Sequence, residues 1–234
     1  MRDLVLLITG ASTGIGAATA RLASDHGYRL VLAARNGARL RALADALGGP
    51  SRALAVPCDV GDWQQVKALT DRTAEVFGRL DAAFVNAGVV SGAPLLGEHD
   101  TPQEWRRMVL TNVYGAAITA HAVWPLLKGS RGHLIVTGSV AGRVTVPGSL
   151  YSATKWAITG LGQSLRAAAT GSHVRVTVIH PGLVDAGPIA PDRRADPRLA
   201  PEDVARAVLF ALTQPPAVDI NEIVVRPTGQ SPAR

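Results

Sequence analysis

Three residues in the second half of the chain have the types and spacing of a proton-transfer site. Tyr151 and Lys155 lie four positions apart in Tyr-Ser-Ala-Thr-Lys, and Ser139 lies twelve positions before the tyrosine. Residues four apart on a helix share a face, so an ammonium group there can stabilise a phenolate. We therefore expect Lys155 to lower the pKa of Tyr151 toward neutrality, which suits a phenol that exchanges protons. Such a pair also arises by chance, so its meaning depends on the motifs around it.

A glycine-rich segment near the start of the chain is typical of a dinucleotide-binding turn. The letters TGASTGIG cover residues 9–16, between an apolar run and a helix-length segment. Glycines let the backbone approach a pyrophosphate, and the N-terminus of the following helix offers unpaired N–H groups. The alternative is a glycine turn kept only for close packing. The residues expected to hold a cofactor here are Gly10, Ser12, Thr13, Gly14, Ile15 and Gly16.

The end of the second apolar run indicates which dinucleotide binds. NAD sites usually place a carboxylate here, which accepts from the adenosine ribose hydroxyls. This chain has Ala34 at that position, followed by Arg35, whose guanidinium suits a 2′-phosphate. We expect NADP(H) to be preferred over NAD(H), the alternative being that Arg35 is an ordinary surface arginine. Asp59, after the third run, is expected to accept from the adenine amino group or else to shape a turn.

Strand and helix patterns alternate along the whole chain and must position these residues. The apolar, β-branched runs are nearly continuous, which favours a mostly parallel sheet covered by helices on both faces. The alternation predicts a doubly wound α/β fold of about seven strands, and the 234 residues without a linker predict one domain over residues 1–234. The predicted strands are 4–9, 29–34, 54–59, 82–86, 133–139, 175–180 and 222–226, and the predicted helices are 15–27, 38–47, 63–77, 102–127 and 152–169.

Composition argues against several functional classes. With one cysteine, Cys58, the chain cannot form an internal disulfide or a cysteine-built metal cluster, and we expect a buried thiol in a reducing compartment. The net charge of +6 comes mainly from scattered arginines, which argues against a nucleic-acid partner. No apolar run is long enough for a signal or membrane segment, so a cytoplasmic location is expected.

Taken together, these motifs make the chain resemble a short-chain dehydrogenase/reductase over nearly its whole length. The resemblance implies a Rossmann-type fold and an NADP(H)-dependent oxidoreductase that interconverts a ketone or aldehyde and an alcohol by hydride transfer. It also implies a homodimer or homotetramer, packed through helices that include residues 105–127 and 156–169. The alternative is a catalytically weak NADP-binding regulator or scaffold of the same fold. The matching pieces are Thr9-Gly10, Gly14-Ile15-Gly16, Cys58-Asp59-Val60, Asn86-Ala87-Gly88, Asn112, Ser139, Tyr151, Lys155 and Pro181-Gly182.

The resemblance also implies a role for each site residue. Tyr151 would donate the proton to the carbonyl oxygen, Ser139 would orient that oxygen, and Lys155 would bind the nicotinamide ribose. Asn112, inside a predicted helix, would hold a water that leads from Lys155 to solvent. The remaining cofactor contacts would be Val60, Asn86, Ala87, Gly88, Pro181, Gly182 and Val184. The substrate contacts would be Ser139, Val140, Leu150, Tyr151 and Leu183, in an uncharged wall with Val90, Ser91, Ala141 and Val146 that suits a neutral or modestly hydrophobic substrate.

Two departures from the family pattern concern the catalytic and nicotinamide positions. The interval from Ser139 to Tyr151 is one residue shorter than is common, so the loop between them must close differently. Ala186 stands where the family usually has a threonine that bonds the carboxamide, which leaves that contact to the backbone around Leu183 and Val184.

A third departure concerns the segment that often forms a substrate lid. Residues 185–200 are short for a lid and contain three prolines, so we expect a mobile loop, an open pocket and weak discrimination. Arg193 and Arg194 within it could meet an anionic substrate, although solvated arginines are the better interpretation. The tail beyond Pro227 is expected to be loose unless a partner subunit holds it.

Overall fold

Seven strands form one sheet within the residues described by the structure, a computed structural model that covers residues 3–90, 95–96, 102–187 and 194–231. The strands are β1 (Val5–Thr9), β2 (Arg29–Ala34), β3 (Ala53–Pro57), β4 (Ala82–Val85), β5 (His133–Thr137), β6 (Arg175–Pro181) and β7 (Glu222–Val225). Their order is β3-β2-β1-β4-β5-β6-β7, and every neighbouring pair is parallel.

Helices cover both faces of this sheet. They are α1 (Gly14–Asp25), α2 (Gly37–Ala46), α3 (Trp63–Phe77), α4 (Pro102–Val109), α5 (Gly115–Ser130), α6 (Leu150–Ala169) and α7 (Pro201–Leu212). One apolar core lies between the sheet and α3, α5 and α6, and a second lies between the sheet and α1, α2 and α7. The doubly wound fold predicted from the apolar runs is therefore confirmed. Among the helices described, none is long and apolar enough to cross a bilayer.

The strand order creates a crevice at one edge of the sheet. All five residues of β1 are buried, because this central strand is covered by helices on both faces. From β1 the chain winds outward to β3 and then returns to β4 on the other side of β1. Such a reversal separates the loops that follow the two central strands, and ligands of open α/β sheets bind in the crevice that results.

Two helical features differ from the sequence prediction. The predicted helix 102–127 is interrupted by a π-helical turn over Leu110–Tyr114, so α4 and α5 are separate elements. Helix α7 was not predicted, although Pro201 at its first position and acidic residues in its first turn are ordinary start signals. The carboxylate of Asp203 accepts a hydrogen bond from the backbone N–H of Ala200 at 2.7 Å, which closes that first turn.

The segment predicted as a loop and the tail are both tied to the end of β6. Leu199 is buried, donates its N–H to the Leu183 carbonyl at 2.9 Å and forms a parallel bridge with Val184. Arg193 lies outside the described residues, and Arg194 is exposed. Contrary to the expectation of a loose tail, the Gln230 side chain packs on Gly182, where an added Cβ would lie 2.1 Å from its Oε1 atom. Gln230 thus borders the crevice, and residues 232–234 lie outside the described residues.

Candidate active site at the carboxyl ends of the central strands

The loops after β1 and β4 are fastened together at the crevice. The backbone N–H of Asn86 donates to the Thr9 hydroxyl, and its side-chain amide donates to the Thr9 carbonyl, both at 3.0 Å. Gly10 has a φ of 67°, and an added Cβ there would lie 2.9 Å from the Ala87 Cα atom. A Cβ on Gly16 would lie 2.3 Å from the Gly10 carbonyl oxygen. A side chain at either position would clash with backbone atoms, so both residues must be glycine. Together they leave a concave surface of bare backbone, here called the glycine cradle.

The start of α1 faces this cradle without a capping side chain. Thr13 occupies the N-cap position in an extended conformation, and no side chain within the described residues caps the helix there. The first N–H groups of a helix are unpaired and carry partial positive charge, so they suit an anion such as a pyrophosphate. Uncapped N–H groups beside glycines that admit no side chain fit the dinucleotide predicted from the sequence. Ser12 and Ile15, also predicted to contact it, are half-buried in the same turn.

The adenosine end of the predicted site is open and positively charged. Arg35 is exposed just after β2, and it has no ion pair among the described residues. The carboxylate of Asp59 accepts from the Gly61 N–H at 2.9 Å, which is the turn role given as its alternative. Cys58 is buried as expected, and burial raises the pKa of its thiol to about 11. Val60 is also buried, against the start of α5.

Ser139 is held at the end of β5 by a short 3₁₀ turn. It occupies the N-cap of the turn Val140–Gly142, and its Oγ atom accepts from the Ala141 N–H at 3.1 Å. Two hydroxyls of α6 donate hydrogen bonds to carbonyls of this turn. Ser152 donates to the Ala141 carbonyl at 2.6 Å, and Thr159 donates to the Gly142 carbonyl at 3.0 Å. These contacts close the short interval between Ser139 and Tyr151.

Tyr151 lies in the first turn of α6, next to Ser139. Its side chain is half-buried, and burial raises the pKa of the phenol, while a hydrogen bond with the Ser139 hydroxyl lowers it. The expectation that Lys155 brings this pKa toward neutrality is therefore wrong for the protein alone. Desolvation disfavours the phenolate, and the Lys155 ammonium lies over the tyrosine ring, 5.7 Å from its centre.

Lys155 is buried and bonded to the backbone of β5. Its Nζ atom donates to the Thr137 carbonyl at 2.8 Å, and the side chain is only 5% exposed. Burial lowers the pKa of Lys155 to about 8, so the ammonium is not a permanent charge. The Thr137 hydroxyl in turn donates to the Asn86 side chain at 3.2 Å. A chain of polar contacts thus runs from Lys155 to the loop that faces the glycine cradle.

Asn112 lies in the π-helical turn rather than inside a continuous helix as expected. Its Oδ1 atom accepts from the Val89 N–H at 2.8 Å, and its Nδ2 atom donates to the Val89 carbonyl at 2.9 Å and the Thr154 hydroxyl at 3.1 Å. The buried amide therefore joins the loop after β4 to α6. Gly88 brings this loop close, since an added Cβ would lie 3.4 Å from Asn112 Oδ1 and 3.9 Å from Lys155 Nζ.

The residues predicted to line the substrate and nicotinamide ends of the site differ in how deeply they are buried. Val140 and Pro181 are buried, Leu150, Leu183 and Val184 are half-buried, and Val90 is largely exposed. Ser91 lies outside the described residues. Ala186, which replaces the expected threonine, is exposed, and an added Cβ on Gly14 would lie 3.0 Å from its Cβ atom. The loop after β6 therefore lies against the start of α1.

Thr137 and His180 contact candidate catalytic residues, and Ser152 contacts the turn that follows Ser139, but none of the three was predicted. His180, at the end of β6, places its Nδ1 atom 3.2 Å from the Ser139 carbonyl oxygen. The His180 contact depends on how β5 and β6 are aligned, and the contacts of Thr137 and Ser152 depend on where α6 packs against β5 and the turn after it. No local sequence signal marks them.

A comparison with known families identifies the chain. The model of the short chain dehydrogenase family matches residues 4–197, most of the chain. The chain belongs to this family. An uncharacterised oxidoreductase of Staphylococcus aureus is 39% identical to this short-chain dehydrogenase over 230 residues, which cover 97% of this chain and 98% of the relative.

Solved structures of the family are similar over nearly the whole fold. An alcohol dehydrogenase from Thermococcus sibiricus complexed with 5-hydroxy-NADP is 31% identical, with a TM-score of 0.88, covering 97% of this chain and 98% of that one. A 3-ketoacyl-(acyl-carrier-protein) reductase from Brucella melitensis complexed with NADH is 26% identical, with a TM-score of 0.85, covering 95% and 96%. The protein is therefore an oxidoreductase of the short-chain dehydrogenase family.

Proposed function

We propose that this protein is an NADP(H)-dependent oxidoreductase that interconverts a neutral ketone or aldehyde and the corresponding alcohol. The observation that supports this most is the convergence of Ser139, Tyr151 and Lys155 at the carboxyl end of β5, beside the glycine cradle of β1. When bound, the cofactor supplies or accepts the hydride at its nicotinamide.

Each candidate catalytic side chain has a separate role in proton transfer. Tyr151, whose raised pKa keeps it protonated near neutral pH, donates its proton to the carbonyl oxygen in the reduction direction. Ser139 bonds the same oxygen and holds it in line with the phenol. Lys155 binds the nicotinamide ribose, and its ammonium stabilises the phenolate that forms when the proton has left. Asn112 supports a water that returns a proton from solvent.

The preference for NADP(H) is assigned to Arg35 together with the missing carboxylate at Ala34. Similar folds are complexed with an NADP derivative in one case and with NADH in another, so the choice must depend on each chain's own residues. The exposed guanidinium of Arg35, just after β2, attracts a 2′-phosphate, and the side chain of Ala34 offers the ribose hydroxyls no acceptor.

Four further assignments concern the domain, the lid, the cellular setting and the oligomeric state. We propose one domain over residues 1–234, a substrate opening with a shortened lid at 185–200, and a reducing, cytoplasmic setting for the single buried cysteine. A homodimer or homotetramer is supported by large side chains that stay exposed on the elements expected at the subunit contacts. Tyr114 is 43% exposed and Trp156 is 46% exposed.

A second candidate is a nucleotide-binding regulator with little catalysis. Ala186 favours it, because this residue carries no hydroxyl that could hold a carboxamide. A poorly held nicotinamide would slow hydride transfer without weakening the adenosine and pyrophosphate contacts.

A turnover screen with a matched binding assay separates the two candidates. Acetophenone, cyclohexanone, benzaldehyde and ethyl acetoacetate are offered with NADPH and with NADH, and the corresponding alcohols with the oxidised cofactors. We expect NADPH oxidation with at least one carbonyl, and its loss by two orders of magnitude or more in Tyr151→Phe. NADPH affinity should be unchanged in that variant. Tight NADPH binding without turnover of any probe would favour the regulator.

A further inference from the structure

A buried imidazole holds the backbone of the candidate catalytic serine. His180 is completely buried at the end of β6, and its Nδ1 atom lies 3.2 Å from the Ser139 carbonyl oxygen. A carbonyl can only accept a hydrogen bond, so this contact requires the proton on Nδ1. The same carbonyl accepts from the Gly142 N–H at 2.9 Å. Both of its lone pairs are then used, which fixes the peptide plane that follows Ser139.

The residue before Ser139 has no side chain, which leaves room for the imidazole ring of His180. An added Cβ on Gly138 would lie 2.6 Å from Nδ1 and 2.9 Å from Cε1 of His180. The Gly138 N–H donates to the Ile179 carbonyl at 2.7 Å, which anchors this part of the chain to β6. The imidazole therefore fills the space that a side chain at position 138 would need.

The other ring nitrogen faces a carboxylate on the edge strand. Val178 pairs with Glu222, so the side chains of Glu222 and His180 share one face of the sheet. The Nε2 atom lies 3.8 Å from Glu222 Oε2 and has no hydrogen-bond partner among the described atoms. Arg143 forms an ion pair with Glu222, and the Gln163 amide donates to its other oxygen at 3.4 Å.

We propose that His180 is a positioning residue for Ser139: its Nδ1–H bonds the serine carbonyl, while Glu222 faces its far side, so that the serine hydroxyl stays directed at Tyr151. This proposal rests on the proposed function. It assigns to β6 and β7 a part in catalysis, although neither contributes a group that touches the carbonyl oxygen of the substrate.

The charges around the ring agree with one bound proton. Burial lowers the pKa of His180 most, the Ser139 carbonyl and Glu222 raise it, and Arg143 and Lys155 lower it. The net direction is downward, so the imidazole is neutral near pH 7 and carries a single proton. Of the two acceptors, the Ser139 carbonyl is nearer than Glu222 Oε2, at 3.2 Å against 3.8 Å.

Two substitutions separate the Nδ1 contact from packing. The amide nitrogen of asparagine takes the place of Nδ1, and that of glutamine takes the place of Nε2. We expect H180N to keep kcat within about threefold of the unchanged protein and H180Q to lose about tenfold or more, in the screen described above. The affinity for NADPH should change by less than about twofold in both, because neither substitution touches the cradle. Equal losses in both variants, or none in either, would overturn the proposal.

The proton position supplies a test that needs no turnover. Long-range ¹H–¹⁵N correlation spectra of the unliganded protein at pH 7, assigned by comparison with H180N, report which ring nitrogen is protonated. A proton on Nδ1 supports the proposal, and a proton on Nε2 contradicts it even if no substrate is found. If the spectra show Nδ1–H while no probe is turned over, the proposed interconversion of these carbonyls and alcohols fails and the His180–Ser139 bond stands. Thermal melting of both variants checks that they fold.

Discussion

The Nζ atom of Lys155 lies 2.8 Å from the Thr137 carbonyl oxygen and 5.7 Å from the centre of the Tyr151 ring. The buried ammonium thus has one protein acceptor on β5, and the phenol beside it is not that acceptor. Desolvation lowers the pKa of Lys155 to about 8, and it raises that of Tyr151. Without cofactor the phenol is therefore held protonated, and the buried ammonium gives up its proton more readily than an exposed lysine does.

The buried lysine makes stability depend on alkaline pH. The pKa of Lys155 is about 8 in the folded protein, against an ordinary value of 10.5, so the unfolded chain binds more protons between these pH values. The contribution of this group to stability therefore rises as the pH increases through that window, by roughly 3 kcal/mol in all. The test is urea unfolding at pH 7.5 and pH 10. The free energy of unfolding of the unchanged protein, minus that of Lys155→Met, should become more positive as the pH rises.

An exposed lysine serves as the control. Lys67 pairs with Asp71 on the surface of α3, so Lys67→Met should leave the pH dependence as it is. If Lys155→Met and Lys67→Met gave parallel pH profiles, the lowered pKa would be refuted.

The sequence predicted the parts of the fold that depend on local pattern. The residues of β2 and α3 match their predicted ranges, because an apolar run bounded by polar residues and a period of 3.6 are both read directly along the chain. The clustering of Ser139, Tyr151 and Lys155 followed from the same patterns together with the family resemblance.

What the sequence did not predict depends on contacts across the sheet. The Thr137 carbonyl receives Lys155, and the Ser139 carbonyl receives His180, only because β5, β6 and α6 meet in one register. A backbone carbonyl leaves no mark in the sequence, so neither contact could be foreseen. The π-helical turn at Asn112 is equally hidden, since its residues keep a helical pattern on both sides.

A second buried group predicts loss of stability in acid. His133 is 1% exposed, its Nε2 atom lies 2.7 Å from the Thr177 hydroxyl, and burial followed by the charge of Arg175 lowers its pKa to about 3. The unfolded chain takes up this proton near pH 6.5 and the folded chain does not, so stability falls as the pH drops below that value. At pH 4 the loss reaches roughly 3 kcal/mol.

Glutamine keeps the donor at the Nε2 position and cannot be protonated. In urea titrations at pH 7 and pH 4, His133→Gln should therefore lose less stability in acid than the unchanged protein. His26→Gln, at an exposed histidine in the C-cap of α1, is the control and should behave like the unchanged protein. Equal acid sensitivity of all three proteins would argue against a neutral His133.

Cofactor choice is predicted to depend on Arg35. Replacing this exposed guanidinium with alanine removes a charge-assisted contact to the 2′-phosphate, so we expect NADPH to bind about tenfold to a hundredfold more weakly. NADH affinity should stay within about twofold, because NADH carries no phosphate at that position. Fluorescence titration of both cofactors measures the two constants, with Arg21→Ala on the exposed side of α1 as a control for total charge. Tighter binding of NADH than NADPH by the unchanged protein would refute the assignment.

The turn that carries Ser139 is predicted to depend on one hydroxyl of α6. Ser152 is 4% exposed and donates to the Ala141 carbonyl at 2.6 Å, directly after the 3₁₀ turn begins. Ser152→Ala leaves that carbonyl without this donor, which should cost about 1–3 kcal/mol of unfolding free energy. It should also lower kcat more than it raises KM, because the turn that holds the serine hydroxyl against Tyr151 is loosened. Ser164→Ala, on the exposed side of the same helix, should change neither quantity. A Ser152→Ala protein as stable and as fast as the unchanged one would show that the turn is held by other contacts.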